Sequence, residues 1–425
     1  MISAMRRHPI HALRVFLSLF LCSVALQAQT ATQAPDTSLL PGPKPADVST
    51  EWKQVVGVYG ADGTSDIIVL ERNQRLLWHT SEGKETSVLP SAKNGFKFAI
   101  DGQTDFVPVT DPAGKITGLE IASRESPLYR KDAGADSAHY FHITPITPVG
   151  QLRAVALASN PPAEPGPFRK PDLVELATLD PAIHLDIRYA QSNNFLSTPV
   201  YTQARAFLQR PAAEALLRVL QKLRPLGYGL LIHDAYRPWY VTKIFWDATP
   251  PEDHNFVADP QKGSRHNRGC AVDLTLYDLT TRKPIEMPGL YDEMSPRSFP
   301  NFPGGTSLQR WTRDLLRRAM ESEGFTVNED EWWHFDYKDW KQYPILNVPF
   351  EKLQFTSRKA RLTSETLLAC GLGGSDVSLR PKEPLVRPVI FSTVSALSNM
   401  RHNSGSNADA DSKSGKRSSP QVLLA

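Results

Sequence analysis

Two short polar segments constrain the fold of this chain most, because their side chains make chemical sense together only if the chain brings both segments to one place. The first is Ser264-Arg265-His266-Asn267-Arg268-Gly269-Cys270-Ala271-Val272-Asp273, and the second is Glu331-Trp332-Trp333-His334. They offer two imidazoles and a carboxylate, a ligand set that zinc takes in catalytic sites with one position open for water. Glu331 adds a carboxylate that could act as the general base of a hydrolase. The two segments together therefore predict a zinc peptidase or amidase.

The first segment predicts a turn followed by a strand over residues 271–276. Alternation along that strand puts its apolar side chains on the core face, namely Val272, Leu274 and Leu276. Asp273 and Thr275 then face the other side, toward a cleft. Gly269 would let the backbone turn between His266 and the strand, so that both ligands reach one ion. The spacing alone also fits a surface aspartate with two unrelated histidines.

The second segment places a condition on its strand. Positions three apart on an ideal strand face opposite sides of the sheet, so Glu331 and His334 can share a cavity only at a strand entrance or a bulge. Trp332 and Trp333 would wall that cavity or cover the core beneath it. A solvated glutamate at a strand end is the alternative interpretation.

An arginine follows a predicted buried strand over residues 229–233, in the sequence His233-Asp234-Ala235-Tyr236-Arg237-Pro238. Arg237 could stabilise the oxyanion of a tetrahedral intermediate through charge-assisted hydrogen bonds. Asp234 could orient that guanidinium as its supporting partner. The residues fit a purely structural salt bridge equally well.

Several ordered motifs together resemble the D-alanyl-D-alanine dipeptidases, the zinc enzymes linked with vancomycin resistance. The resemblance covers about residues 170–350. Its motifs are Asp186-Ile187-Arg188-Tyr189-Ala190, Asn194-Phe195, Gly227-Tyr228-Gly229-Leu230-Leu231, Asp234-Ala235-Tyr236-Arg237-Pro238, Ser264-Arg265-His266, Gly269-Cys270-Ala271-Val272-Asp273-Leu274-Thr275-Leu276 and Glu331-Trp332-Trp333-His334. A series of motifs in order is far more specific than any one of them.

The resemblance implies a role for each matching position. One zinc ion per chain would be held by His266, Asp273 and His334. Glu331 becomes the catalytic base and Arg237 the stabiliser of the transition state. Asp292 would bind the free ammonium of the substrate, with Ser264 and Tyr189 near the dipeptide.

The implied activity is hydrolysis of the D-Ala-D-Ala dipeptide to two D-alanines in peptidoglycan turnover or recycling. A peptidoglycan D,D-carboxypeptidase or endopeptidase with the same zinc ligands is the alternative enzyme, and it would act on a peptidoglycan-derived peptide. A non-catalytic wall-binding protein is an alternative of a different class. The formal net charge of +3 gives no sign of a nucleic-acid partner.

Residues 1–28 read as a signal peptide, so we expect an exported protein, periplasmic or secreted. The basic residues of this segment are Arg6, Arg7 and Arg14. The apolar run at 15–26 is too short for a comfortable membrane span, and small residues near Ala25 and Ala28 mark the predicted cleavage site. A lipoprotein anchored at Cys22 or a retained N-terminal anchor is the alternative.

The rest of the chain divides by composition into an α+β protein. A linker at 29–49 precedes a small all-β barrel or sandwich at 50–150, and a Pro-rich linker at 151–170 leads to the catalytic domain at 171–355. We expect helices around an antiparallel sheet in that domain, and a largely disordered tail at 356–425. The strands and helices predicted with most detail are 66–71, 75–80, 95–100 and 115–122 in the β domain, and the amphipathic helices 210–224 and 308–323 in the second.

Overall fold

The computed structural model describes residues 36–61, 66–131, 142–293 and 295–353. The predicted signal peptide, with Cys22, and the predicted tail lie outside the described residues. Within the described ranges, no helix combines the length and the apolar character needed to cross a membrane.

A closed antiparallel barrel of eight strands forms the first domain, and a short helix, α1 (Thr50–Val55), leads into it. The barrel closes where Tyr59 pairs with Arg130. Its strands are β1 (Gly57–Gly60), β2 (Ile67–Glu71), β3 (Leu76–His79), β4 (Glu85–Pro90), β5 (Phe98–Ile100), β6 (Thr104–Thr110), β7 (Ile116–Ile121) and β8 (Leu128–Arg130). The sequence predicted β2, β3, β5 and β7. Of the two predicted architectures, barrel and sandwich, the closed sheet is the barrel.

Aromatic side chains fill the barrel. The rings of Phe98 and Phe106 stack at 5.3 Å, and Trp78 packs on Phe106 at 5.7 Å. The turn between β6 and β7 follows from local chemistry, because Asp111 Oδ1 accepts the backbone N–H groups of Ala113 and Lys115. The barrel thus has its own apolar core.

The second domain is built on a five-stranded sheet. Its strands are β10 (Ile183–Leu185), β12 (Tyr228–Asp234), β13 (Ala271–Asp278), β14 (Phe325–Asn328) and β15 (Glu331–Tyr337). They lie in the order β10-β12-β13-β15-β14. A separate pair is formed by β9 (Leu173–Glu175) and β11 (Phe207–Gln209). The predicted antiparallel sheet is wrong at one edge, where β10 runs parallel to β12. A parallel neighbour requires a crossover connection, which the segment containing β11 and the next helix provides.

The second domain has four α-helices: α2 (Val149–Ala158), α3 (Arg210–Leu223), α4 (Trp239–Ala248) and α5 (Ser307–Glu321). The two predicted helices are confirmed as α3 and α5, which contact the sheet and each other. Pro211 lies in the first turn of α3 as expected, and Thr306 with Gln309 forms a capping box at the start of α5. Helix α2 occupies the first part of the segment predicted as a linker at 151–170.

The barrel is docked on the second domain through a buried carboxylate. Glu71, at the end of β2, is fully buried and accepts hydrogen bonds from the backbone N of Ser307 (2.7 Å) and from its hydroxyl (3.2 Å). Ser307 is the first residue of α5, so a side chain of the barrel caps a helix of the second domain.

A cavity of about 720 Å³ lies nearby, lined by barrel residues such as Val58 and by His233 and Tyr291 of the second domain.

Candidate metal centre

The register of β13 and β15 brings two of the three predicted ligands together. Asp273 and His334 are direct partners across this antiparallel pair. His266 lies in a single 3-10 turn, His266–Arg268, just before β13. Gly269 follows with φ +67°, so the left-handed residue that turns the chain toward the strand is a glycine, as the sequence predicted.

The three ligand atoms converge in a buried site. His334 Nδ1 is 3.1 Å from Asp273 Oδ1 and 3.1 Å from His266 Nε2, which is itself 3.4 Å from Asp273 Oδ1. Ligand atoms about 2.0–2.1 Å from a tetrahedral ion are roughly 3.3 Å apart. The spacing therefore fits three of the four positions around one metal ion, and all three residues are buried.

The outer hydrogen bonds show which ring nitrogens carry a lone pair. His266 Nδ1 is 2.7 Å from the carbonyl oxygen of Ala235, which can only accept, so this nitrogen donates. His334 Nε2 lies 2.9 Å from Asp336 Oδ1 and donates in the same way. When both rings are neutral, their opposite nitrogens turn lone pairs toward Asp273 Oδ1, a buried atom that makes no hydrogen bond within the described ranges. A bound cation would satisfy all three atoms.

The electrostatics of the group also favour a positive charge at its centre. Burial raises the pKa of Asp273, but the nearby imidazoles of His266 and His334 outweigh it, and the pKa lies well below its ordinary value. Burial lowers the pKa of His334, yet Asp273 and Asp336 raise it well above the ordinary histidine value. Asp273 is thus stabilised as the carboxylate, which a metal ion would bind. His334 is stabilised with a proton, which a metal ion would replace.

Glu331 reaches the same site by the bulge that the spacing required. The register between β14 and β15 shifts after Val327, so that Asn328 pairs with Glu331, the first residue of β15. Glu331 Oε2 lies 3.6 Å from His334 Nδ1, although the two residues are three apart. Burial, with the negative charge of Asp273, raises the pKa of Glu331 despite the opposing histidines. A carboxylate with a raised pKa beside the ligand atoms is suited to accepting a proton.

Arg237 forms the predicted ion pair and also faces the site. Its Nε and Nη2 donate to Asp234 Oδ2 at 3.0 and 2.8 Å, while Tyr201 donates to Asp234 Oδ1 at 2.7 Å. The guanidinium lies 5.2 Å over the ring of Tyr189. Burial lowers the pKa of Arg237, but Asp234 raises it well above its ordinary value, so the group stays charged. The salt bridge and the role at the site are therefore compatible.

Asp292 lies in the same chamber as a buried carboxylate with a free oxygen. Tyr189 donates to its Oδ1 at 3.3 Å, and its Oδ2 has no hydrogen-bond partner among the described residues. Burial and the charges of Glu331 and Asp273 raise the pKa of Asp292 to about 7, against a smaller opposing effect of Arg237. An unpaired carboxyl oxygen that other carboxylates destabilise is suited to a cationic group of a ligand.

The structure places Ser264 behind a candidate ligand. Its hydroxyl accepts the backbone N–H of His266 at 3.2 Å and so stabilises the turn that carries this histidine. Cys270 is buried, and burial raises the pKa of its thiol to about 12, so the thiol is a poor nucleophile.

Sequence reasoning missed two residues that contact the candidate ligands. Asp336 lies two positions after His334 on the same strand face, so alternation along β15 could have identified it. Tyr291 donates its hydroxyl to Asp273 Oδ2 at 3.2 Å. Tyr291 lies in the irregular connection between β13 and α5, where no periodicity indicates which side chains face the site.

Comparison with known proteins gives one consistent result. The profile of the peptidase M15 family, described as D-ala-D-ala dipeptidase, matches residues 169–354. A D-alanyl-D-alanine dipeptidase of Escherichia coli K12 is 35% identical over 179 residues, which are 42% of this chain and 91% of that protein. A D-alanyl-D-alanine dipeptidase of Enterococcus faecium is 34% identical over 189 residues, or 39% of this chain and 92% of that protein.

A third relative extends the range of organisms. A D-alanyl-D-alanine dipeptidase of Streptomyces coelicolor is 33% identical over 178 residues, which cover 37% of this chain and 87% of that protein. The matched region contains the buried His/Asp/His group and the neighbouring carboxylate, and nearly all of each relative is covered. The chain therefore belongs to the D-alanyl-D-alanine dipeptidase family of peptidases.

Proposed function

We propose that this protein is a zinc-dependent dipeptidase that hydrolyses D-Ala-D-Ala to two D-alanines. The observation that carries the proposal is the placement of an unpaired buried carboxyl oxygen of Asp292 in the chamber that also holds Glu331 and Arg237. A free dipeptide has an ammonium group close to its scissile bond, and this arrangement provides an anion for it. The names of the relatives support the same substrate.

The donor set supports zinc in particular. Two imidazole nitrogens and one carboxylate oxygen with a further position open are characteristic of catalytic zinc sites. A zinc ion held by His266, Asp273 and His334 would polarise the peptide carbonyl and make a nearby water more acidic. One ion per chain suffices, because the described residues bring one such group together.

The chain's own residues then divide the remaining work. Glu331 accepts the proton of the attacking water at its carboxylate and passes it to the leaving amine. Arg237 donates hydrogen bonds to the oxyanion that forms on the carbonyl oxygen, with its charge fixed by Asp234. Asp292, oriented by the hydroxyl of Tyr189, holds the ammonium and so sets the position of the scissile bond.

Burial of the chamber favours a small substrate over a wall polymer. Asp273, His266 and His334 are 3%, 2% and 7% exposed. A carboxypeptidase or endopeptidase that trims peptidoglycan needs a cleft open to a long peptide, and the buried ammonium site would have no role there.

The proposal includes export to the periplasm or the medium, based on the predicted signal peptide at residues 1–28. Outside the cytoplasm, free D-Ala-D-Ala would come from turnover of the wall. Recycling of wall fragments is thus the role that we propose for the activity.

The deciding experiment measures D-alanine release by the purified mature protein from D-Ala-D-Ala and from a wall pentapeptide ending in D-Ala-D-Ala, with and without chelator. We expect chelator-sensitive release from the free dipeptide alone, restored by added zinc. Release from the pentapeptide instead would reassign the enzyme to wall trimming. Zinc binding without cleavage of either peptide would favour a wall-binding protein.

A further inference from the structure

Tyr291 separates the two oxygens of the Asp273 carboxylate. Its hydroxyl donates to Oδ2 at 3.2 Å, while Oδ1 faces the two histidines at 3.1 and 3.4 Å. Both residues are buried, so water does not compete for either oxygen. The hydrogen bond occupies one oxygen and leaves the other to the metal site, which favours a ligand that binds through a single oxygen.

The ring of Tyr291 is held on two sides. It stacks on His233 with the ring centroids 4.4 Å apart and the planes 23° apart, and it meets Trp333 edge-on at 5.6 Å. His233 is itself close to Asp186, with its Nδ1 3.3 Å from the backbone oxygen. On another side, the ring borders the cavity between the barrel and the sheet. The contacts with His233 and Trp333 therefore set the direction of the Tyr291 hydroxyl, although one side of the ring is not packed against protein.

The backbone beside Tyr291 is strained in a way that suits this position. Asp292 has φ +64°, a conformation that residues other than glycine rarely adopt. In an extended chain, consecutive side chains point to opposite sides, whereas Tyr291 contacts Asp273 and Asp292 contacts Tyr189 in one chamber. The left-handed residue allows two neighbouring side chains to face the same site, and such strain is concentrated at functional sites.

We propose that Tyr291 is a positioning residue that fixes the Asp273 carboxylate as a one-oxygen metal ligand. This inference deepens the proposed function and rests on it. The tyrosine itself takes no part in proton transfer. It acts through Asp273, by orienting the carboxylate.

The test is Tyr291→Phe, which removes the hydroxyl and keeps the ring and its stacking. The readout is the zinc dissociation constant in the absence of substrate, measured by competition with a chromophoric chelator. We expect zinc to bind about 10–100-fold more weakly, the usual cost of losing a group that orients a metal ligand. Far-UV circular dichroism and the melting temperature of the metal-free variant should match those of the metal-free parent.

Tyr277→Phe is the matched control. Tyr277 is a fully buried tyrosine on β13, and its hydroxyl lies 3.3 Å from His184 Nε2, away from the ligands. Its zinc dissociation constant should equal that of the parent protein. The proposal is overturned if Tyr291→Phe binds zinc within about twofold of the parent, or if both variants lose zinc affinity equally. A parent protein that binds zinc but leaves D-Ala-D-Ala intact would refute the proposed function, while the zinc constants would still decide the role of Tyr291.

Discussion

Asp273 and His334 are direct partners across β13 and β15, and Asp273 Oδ1 lies 3.1 Å from His334 Nδ1. Two of the three candidate ligands are therefore placed by the hydrogen-bond register of the sheet rather than by loops. A slip of one residue would turn one of them to the opposite face. The metal centre and the most regular part of the second domain are consequently specified by the same pairing.

Replacing the proposed general base should separate metal binding from turnover. In Glu331→Gln the amide cannot accept the proton of the attacking water, while His266, Asp273 and His334 remain. We expect full zinc content and a loss of about 100- to 10,000-fold in kcat for D-Ala-D-Ala. The measurements are metal analysis and initial rates of D-alanine release. The exposed Glu329→Gln is the control and should behave like the parent. Turnover above a tenth of the parent rate in Glu331→Gln would remove this residue from the mechanism.

Asp292 should make the metal-free protein less stable as the pH rises. Its pKa is raised from 3.8 to about 7 by burial and by Glu331 and Asp273. Between these values the folded protein keeps a proton that the unfolded chain has released, so the free energy of unfolding falls with increasing pH. One such proton corresponds to a slope of about −1.4 kcal/mol per pH unit. Urea unfolding of chelator-treated protein at pH 5, 6 and 7 measures this slope.

Asp292→Asn should remove that part of the pH dependence. Asparagine tolerates the left-handed backbone and cannot ionise, so the slope of its unfolding free energy should be less negative by up to about 1.4 kcal/mol per pH unit. Asp330→Asn changes an exposed carboxylate and should leave the slope unchanged. Equal slopes in the parent and in Asp292→Asn would show that the buried carboxyl is not protonated near neutral pH.

Gly269→Ala should damage both stability and metal binding. A Cβ at this position would lie 2.6 Å from Leu173 Cδ2, and φ is +67°. Gly227→Ala is the matched control, because φ is +89° there and no atom lies within 4 Å of the added Cβ. The strained backbone should cost each variant about 1–2 kcal/mol. The close contact should cost Gly269→Ala up to about 1 kcal/mol more, because the terminal methyl group of Leu173 must turn away.

Zinc affinity separates the two glycine variants further. Only Gly269→Ala displaces the turn that carries His266, so only this variant should bind zinc more weakly. Urea unfolding of the metal-free proteins and chelator competition give the two quantities. Identical behaviour of the two variants would mean that the turn before β13 does not position the histidine.

Glu71→Gln should loosen the contact between the barrel and α5. Glu71 accepts hydrogen bonds from the N–H and the hydroxyl of Ser307 through its two carboxylate oxygens. In the glutamine, an NH₂ group that cannot accept would replace one of these oxygens. We expect a loss of about 1–3 kcal/mol in the free energy of unfolding. Glu85→Gln is the control, since its ion pair with Arg72 is exposed and should be worth less than about 1 kcal/mol. Equal losses in the two variants would show that the buried carboxylate does not stabilise the contact.

The sequence predicted those elements whose apolar positions repeat regularly. Helices α3 and α5 have one apolar face each. In β13, apolar residues alternate with polar ones, and β15 begins with the segment that carries Glu331 and His334. Helix α4 was missed because apolar residues surround it, so it shows little of the 3.6-residue contrast that marks a surface helix. The parallel edge strand β10 has three residues, too few for a pattern to indicate its direction.

In the candidate site, too, some residues could be placed from the sequence and others could not. Glu331 could be placed from the sequence, because its spacing from His334 required a strand entrance or a bulge, and the structure has that bulge. Tyr291 could not be placed, because its contact with Asp273 depends on the path of an irregular connection and on the left-handed Asp292. Residues on regular elements are predictable from periodicity, whereas residues on such connections depend on tertiary contacts.

The buried Glu71 limits how this architecture can be dissected or recombined. A fragment that begins after the barrel would expose the first N–H groups of α5 and a face of the second domain that the barrel now covers. Another β domain grafted at the same boundary would leave the N–H of Ser307 without its present acceptor unless the graft supplied one at the same place. Composition marks a division of the chain near residue 150, yet a substitution at either Glu71 or Ser307 alters a contact that belongs to both domains.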